Sequence, residues 1–98
     1  MNTRTYFVYI ATNKINTVLY TGVTDNLIRR VYEHKEHYGS VFTRKYKIEK
    51  LLYFEMFNDI NLAISREKQI KAGSRQKKLD LIINKNAQFK DLYEEIIK

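Results

Sequence analysis

The 98-residue sequence contains no cysteine and no proline. The first absence excludes disulfides, zinc–thiolate centres and thiol nucleophiles, and it leaves redox chemistry silent about compartment. The second, with no repeat and no low-complexity tract, leaves no mark of a linker. One domain is expected over residues 1–98, with a core at about 5–83 and a C-terminal helix at about 87–97. Also missing is any apolar run of transmembrane length, and the opening MNTRTYFVYI lacks the long apolar stretch and cleavage site of a secretory signal. The expectation is a cytoplasmic protein with no membrane partner, open between monomer and weak homodimer. One modest core fits this length, and a hydrophobic share of 44% suits it.

Acid is the scarcer charge. Eleven Asp and Glu stand against eighteen Lys and Arg, a formal charge of +7 and a pI near 9.6, which favours a polyanionic partner. Many small basic domains never touch nucleic acid, so the distribution says more than the sum. Arg66, Lys68, Lys71, Arg75, Lys77 and Lys78 follow one another with Glu67 as the only acid among them. Such a run repels itself unless something neutralises it. A second basic stretch, TRKYK, holds Arg44, Lys45 and Lys47 and carries no clear secondary-structure signature.

Tyr6 to Ala11 (YFVYIA) and Val18 to Gly22 (VLYTG) are rich in β-branched and aromatic residues, and TNKINT between them supplies Asn13 and Asn16. The pattern predicts a hairpin. With the turn centred between Lys14 and Ile15, Tyr9 faces Tyr20 with β-carbons roughly 5 Å apart. Thr24 or Asp25 caps a helix running to about His37, on which Leu27, Val31 and Tyr38, with Ile28 and Tyr32, recur at helical spacing. Counting about 100° per residue from Leu27 puts Val31 at about 40°, His34 at about −20° and Arg30 at about −60°. Both polar residues therefore border the buried stripe.

The run Lys50 to Phe57 (KLLYFEMF) predicts a third, largely buried strand. Asn58 or Asp59 caps a helix over residues 60–72, with Ile60, Ala63, Ile64 and Lys71 on one face and Gly73 as its stop. Glu67 falls at about −20° from Ile60, inside the apolar stripe, where an ionised carboxylate needs a partner. Ser74 caps a further helix to about Ile83, with Leu79, Ile82 and Ile83 inward; Phe89, Leu92, Tyr93, Ile96 and Ile97 mark a last amphipathic helix. The expected class is α/β of the α+β type: a three-stranded, mostly antiparallel sheet, a hairpin plus a third strand, flanked by about four helices.

Two tyrosines on a hairpin, an arginine and a histidine one turn apart, and one inward carboxylate suit phosphate chemistry. The segments that carry them are FVY at 7–9, YTG at 20–22, VTDNLIRRVYEH at 23–34 and REKQIKAGSRQKKLDLI at 66–82. In this order they resemble the GIY-YIG nuclease superfamily over most of the chain, and most of all its small stand-alone bacterial members of the UPF0213 kind.

The resemblance implies an endonuclease that hydrolyses DNA phosphodiester bonds with one Mg2+ or Mn2+ ion, with RNA an open alternative. Tyr9 would orient or deprotonate the attacking water, its phenol brought below its ordinary pKa of about 10 by cationic neighbours. Tyr20 would hydrogen-bond the phosphate or the water. Arg30 would neutralise charge on the phosphoryl oxygens, and His34 would hold Tyr9 or relay its proton. Glu67 would be the single direct metal ligand. Gly22 would let backbone or substrate approach closely. A polar residue beyond the glutamate, Asn86 first and Asn84 second, would complete the site, with Lys45 as a further phosphate contact. The basic run from Arg66 to Lys78, with Arg44 and Lys47, would track the nucleic-acid backbone without reading sequence. The implied enzyme is structure-selective or weakly sequence-selective and works in repair, recombination or defence.

Phe7 and Val8 stand where glycine and isoleucine give the first motif its name, and Thr21 replaces the isoleucine of the second. These residues neighbour the chemistry without performing it. Taken singly, each site residue has an ordinary explanation: sheet aromatics for the tyrosines, a Glu33 pair for Arg30, a salt bridge to Arg30 for Glu67. Their conjunction favours the nuclease. The competing functions are a non-catalytic nucleic-acid-binding module that keeps the fold, and a protein-interaction subunit.

Overall fold

Strands form where aromatic and β-branched residues run together. In the computed structural model, which describes residues 4–98, these are β1 (Tyr6–Thr12), β2 (Leu19–Thr24) and β3 (Lys50–Phe57). They pair into one antiparallel sheet in the order β2-β1-β3, so β1 is central and β2 is an edge. The helices are α1 (Leu27–Lys35), α2 (Val41–Lys45), α3 (Ile60–Ala72), α4 (Arg75–Lys85) and α5 (Tyr93–Ile96). There are five rather than about four because TRKYK, with no assigned structure from sequence, falls in and just after α2.

Alternation along β1 divides the core in two. Val8 and Ile10 pack with Leu52, Tyr53, Ala63, Ile70 and Ile82, beneath α3 and α4. Tyr9 and Ala11 pack on the other face with Leu27, Val31, Ile48 and Leu51, beneath α1.

The hairpin register departs from expectation by two residues: Tyr9 pairs with Gly22 and Ala11 with Tyr20. The cause lies in the loop. Asn13 Oδ1 accepts from the backbone N–H of Thr17 at 2.8 Å and of Val18 at 3.2 Å, while Asn16 adopts a φ of 59°. This Asn-built loop centres the hairpin between Ile15 and Asn16, one residue beyond Lys14 and Ile15, which moves every pairing by two. Because the shift is even, both tyrosines keep the α1 face.

Several element ends also move. Asn26, not Thr24 or Asp25, caps α1 by accepting from Arg29 N–H at 3.0 Å, and Thr24 Oγ1 instead accepts from Asn26 N–H at 3.1 Å. The helix stops at Lys35, before His37 takes a φ of 61°. Asp59 and Ser74 cap α3 and α4 as expected. Gly73 ends α3 in extended backbone, φ −73°, a conformation any residue adopts. Ile60 and Ile83 lie exposed rather than inward. The helix expected at about 87–97 shrinks to α5, because Phe89 has a φ of 54° and Asp91 Oδ1 accepts from Leu51 and Tyr93 N–H, each at 3.1 Å. Leu92 N–H then donates to Leu51 O at 2.8 Å. The apolar spacing there records a tail folded along β3.

Candidate active site

The site starts from the β1–β2 pairing. Tyr9 is fully buried and its ring lies across Gly22, where a β-carbon would sit 2.6 Å from the phenol Cζ and Oη. What Gly22 admits is the Tyr9 phenol itself, a more specific role than a generic close approach. Tyr20 stands beside it, ring centroids 6.2 Å apart.

Helix α1 supplies the next two groups. It buries Leu27, Val31 and His34, a stripe with helical spacing that turns the imidazole onto the tyrosines. His34 Nε2 lies 2.9 Å from the Tyr9 hydroxyl, and its ring centroid is 5.8 Å from Tyr9 and 5.6 Å from Tyr20. His34 Nδ1 is buried without a partner. A proton on Nδ1 would be a stranded donor, whereas a proton on Nε2 strands only a lone pair, the cheaper deficit. The favoured tautomer therefore donates from Nε2 to the Tyr9 oxygen and leaves the phenol hydrogen free to point elsewhere.

Arg30 sits one turn before His34. Its Nε pairs with Glu33 at 3.4 Å, as an ordinary surface cation would, yet its charge also acts on Tyr9 and His34. Burial, then Arg30, hold the His34 pKa down at about 4, so the imidazole is neutral at neutral pH. Burial, then Tyr20, raise the Tyr9 phenol above its ordinary 10.0, and Arg30 lowers it only in part. Arg30 depresses this phenol, as expected of a cation, but burial outweighs it in the free chain. One guanidinium at the rim favours the phenolate less than burial opposes it.

Glu67 comes from a different helix, α3. Its helix packs through Ala63 and Ile70 beneath the Val8–Ile10 face, whereas Tyr9 belongs to the opposite core. The inward placement holds, since the Glu67 side chain is only 13% exposed, but its partner is Lys71 Nζ at 3.0 Å rather than Arg30. Among the described residues no group of three His, Cys, Asp or Glu could hold a metal ion. One carboxylate fits a hydrated Mg2+ that takes its remaining ligands from water and phosphate; it does not fit an ion enclosed by protein.

Asn86 is spent on structure. Its Nδ2 donates to Leu52 O at 3.0 Å and Lys90 O at 2.8 Å, and its Oδ1 accepts from Lys90 N–H at 3.1 Å, which uses both amide hydrogens and leaves one oxygen lone pair. Asn84 is exposed and borders a groove between α3 and α4 with Arg66, Lys77 and Lys78. Thr21, the departure from the second motif, is buried with its hydroxyl unpartnered, so it fills an apolar position.

Two of the six cations in the basic run, Arg66 and Lys71, meet an acid, and two more bond backbone carbonyls. Arg66 grips Glu55 with two hydrogen bonds of 2.9 Å, and Tyr53 donates to the same carboxylate. Burial pushes Glu55 up, but Arg66 and Tyr53 outweigh it and hold its carboxyl below the ordinary value; burial carries Tyr53 up to about 12. Lys71 serves Glu67, Lys78 donates to Gly73 O at 2.6 Å, and Arg75 donates to Asn16 O at 3.2 Å. Lys68 and Lys77 have no side-chain partner among the described residues. The Tyr53–Glu55–Arg66 lock was not read from sequence; Tyr53 and Glu55, two apart on one strand, were its only signal. On the other side, Arg44, Lys45 and Lys47 are exposed in or after α2, and Phe42 packs on Tyr20 with centroids 5.9 Å apart.

Residues 5–80 match the family model described as the GIY-YIG catalytic domain. A UPF0213 protein of Clostridium perfringens is 40% identical over 90 residues, covering 92% of this chain and 96% of that protein. A UPF0213 protein of Staphylococcus saprophyticus is 38% identical over 77 residues, covering 79% and 93%. The solution NMR structure of a UPF0213 protein from Bacillus halodurans has a TM-score of 0.57 at 29% identity, covering 89% of this chain and 92% of that one. With its three-stranded antiparallel sheet and its Tyr9–Gly22–His34 arrangement, the chain belongs to the GIY-YIG family, among its small UPF0213-like members.

Proposed function

We propose that the protein is a metal-dependent endonuclease that hydrolyses DNA phosphodiester bonds through a water held by Tyr9. The observation that supports this most is the buried 2.9 Å contact between Tyr9 and His34, with Arg30 beside it. A polar pair in a sheet core costs stability, and a packing role would be met more cheaply by Phe and Leu.

Arg30 binds a non-bridging phosphate oxygen, and Tyr20 donates to the same group or to the water. Phosphate on Arg30 also offsets the charge that disfavours imidazolium, so His34 becomes better able to carry a proton once substrate is bound. Tyr9 orients the water; its phenol proton passes to solvent as the substrate site fills, and the His34 Nε2–H holds the phenolate. The phenolate then takes the proton of the attacking water and returns to phenol, and solvent protonates the leaving oxygen. A divalent cation, Mg2+ or Mn2+, supplies further positive charge for the phosphoryl and leaving oxygens when bound, with Glu67 as its one direct protein ligand. β2 is one edge of the sheet, and this reading requires the phosphate to reach past it from the Tyr9 face to the Glu67 carboxylate on α3. In-line attack inverts phosphorus. Arg44, Lys45, Lys47, Lys68 and Lys77 hold the backbone, which gives structural or weak sequence selectivity suited to repair, recombination or defence inside the cell.

A non-catalytic binding module is the second reading, favoured by one observation: the carboxylate assigned to the metal, Glu67, is paired with Lys71 Nζ at 3.0 Å. The test is incubation with supercoiled plasmid, single-stranded and branched DNA, with Mg2+, Mn2+ or a chelator, alongside Glu67→Ala. Metal-dependent cleavage lost in Glu67→Ala supports the enzyme. Binding with a steep salt dependence and no cleavage supports the module.

A further inference from the structure

A ladder of rings leads out of the tyrosine pair. Tyr9 and Tyr20 have centroids 6.2 Å apart, Tyr20 and Phe42 5.9 Å, and Phe42 and Tyr46 4.6 Å. It begins fully buried at Tyr9 and ends in solvent, with Phe42 43% and Tyr46 39% exposed. Val41 and Tyr38 in the same segment are more than two-thirds exposed.

Helix α2 inverts the usual burial preference. Its buried residue is Thr43, whose hydroxyl donates to Ser40 O at 3.0 Å, while Val41 and Phe42 face out. Outward aromatics on a helix that buries a threonine have a use beyond the fold. The surrounding charge is mostly positive: no Asp or Glu occurs between Glu36 and Glu49, and Arg44, Lys45 and Lys47 lie between. Glu49, which lines a groove with Lys45, Tyr46 and Lys47, is paired with Lys14 at 3.7 Å. Lys45 Nζ sits over the Tyr46 ring at 5.4 Å.

Part-exposed aromatic rings interleaved with cations, with the nearby Glu49 already paired to Lys14, complement a strand whose bases are unstacked and whose phosphates run alongside. A duplex keeps its base faces closed against one another and has nothing to place on Phe42 or Tyr46. A second copy of this chain would set Arg44, Lys45 and Lys47 against like charge. We propose that Phe42 and Tyr46 form a stacking platform for unpaired nucleobases, so that the strand crossing the Tyr9 site is single-stranded there. This rests on the nuclease reading and names the substrate class of that same site.

The test is binding by the full chain in chelator, where cleavage plays no part, to an oligonucleotide carrying 2-aminopurine and to a blunt duplex of the same sequence. The expected result is tighter binding of the single strand with quenched 2-aminopurine fluorescence. Tyr46→Ala should weaken single-strand binding about tenfold and leave duplex binding unchanged, while Tyr46→Phe restores it. Replacing both Lys45 and Lys47 by Ala should weaken both ligands and flatten the salt dependence. Equal affinity for the two ligands, or equal loss on both in Tyr46→Ala and Phe42→Leu, would overturn the platform. So would a dimer that Tyr46→Ala dissociates, which would assign the face to a second copy. An absence of cleavage with metal would sink the nuclease reading and leave this binding result standing.

Discussion

The Tyr9 phenol lies in the space that a side chain at Gly22 would occupy, with only 2.6 Å from its Cζ and Oη to an ideal β-carbon there. The glycine of the second motif and the tyrosine of the first are thus one steric unit, brought opposite each other by the hairpin register. Gly22→Ala should lower stability by about 1–3 kcal/mol, since the ring is fully buried and has no free direction to move. Urea denaturation measures the loss. An unchanged midpoint would mean that the ring yields freely.

His34 makes stability depend on pH. Its folded pKa is about 4 against an ordinary 6.5, so the folded state stays neutral where the unfolded chain takes a proton. Stability is full above 6.5, falls as pH drops, and levels near 4. The loss across that window is on the order of 3 kcal/mol. Thermal or urea melts of wild type and His34→Gln between pH 7 and pH 5, roughly the upper part of the His range, should diverge. Parallel curves would show that His34 is not buried neutral.

Arg66 belongs to the fold, whereas Lys77 is available to a ligand. Removing Arg66 leaves Glu55 and Tyr53 without the two 2.9 Å bonds that hold the carboxylate. Arg66→Ala should cost about 1–3 kcal/mol and barely alter the salt dependence of DNA binding. Because Glu55 is held below its ordinary 4.5, the contribution of this lock is present above that pH and is lost as acid protonates it. Lys77→Ala should do the reverse, with unchanged melting and weaker DNA binding. Filter binding across salt, beside a melt of each variant, checks both halves.

What could be read from the sequence followed the strength of local signals. Lys50–Phe57 and Ile60–Ala72 appear as expected because an aromatic run and an Asp59 cap are decisive by themselves. The tyrosines share a face because a two-residue slip preserves alternation, although the slip itself depends on Asn13 hydrogen bonds that no periodicity reveals. Helix α2 leaves no signature because five residues carry too little pattern, and the C-terminal segment imitates a longer helix because its apolar spacing serves a tail pinned by Asp91. Of the site, Tyr9, Tyr20, Gly22 and His34 come together, with Arg30 acting on two of them. The helix that carries Glu67 packs on the other core, where Glu67 pairs with Lys71, and Asn86 gives both amide hydrogens to backbone carbonyls. Long-range placement and hydrogen-bond satisfaction decide such cases, and neither is written in spacing.

The central claim is that the Tyr9 hydroxyl takes part in phosphodiester hydrolysis. The most direct measurement is single-turnover cleavage of end-labelled DNA with Mg2+ by wild type and Tyr9→Phe, with folding checked by a melt and binding checked in chelator. The expected result is a rate at least about 100-fold lower in Tyr9→Phe, with DNA binding retained. Cleavage by Tyr9→Phe at the wild-type rate would contradict it.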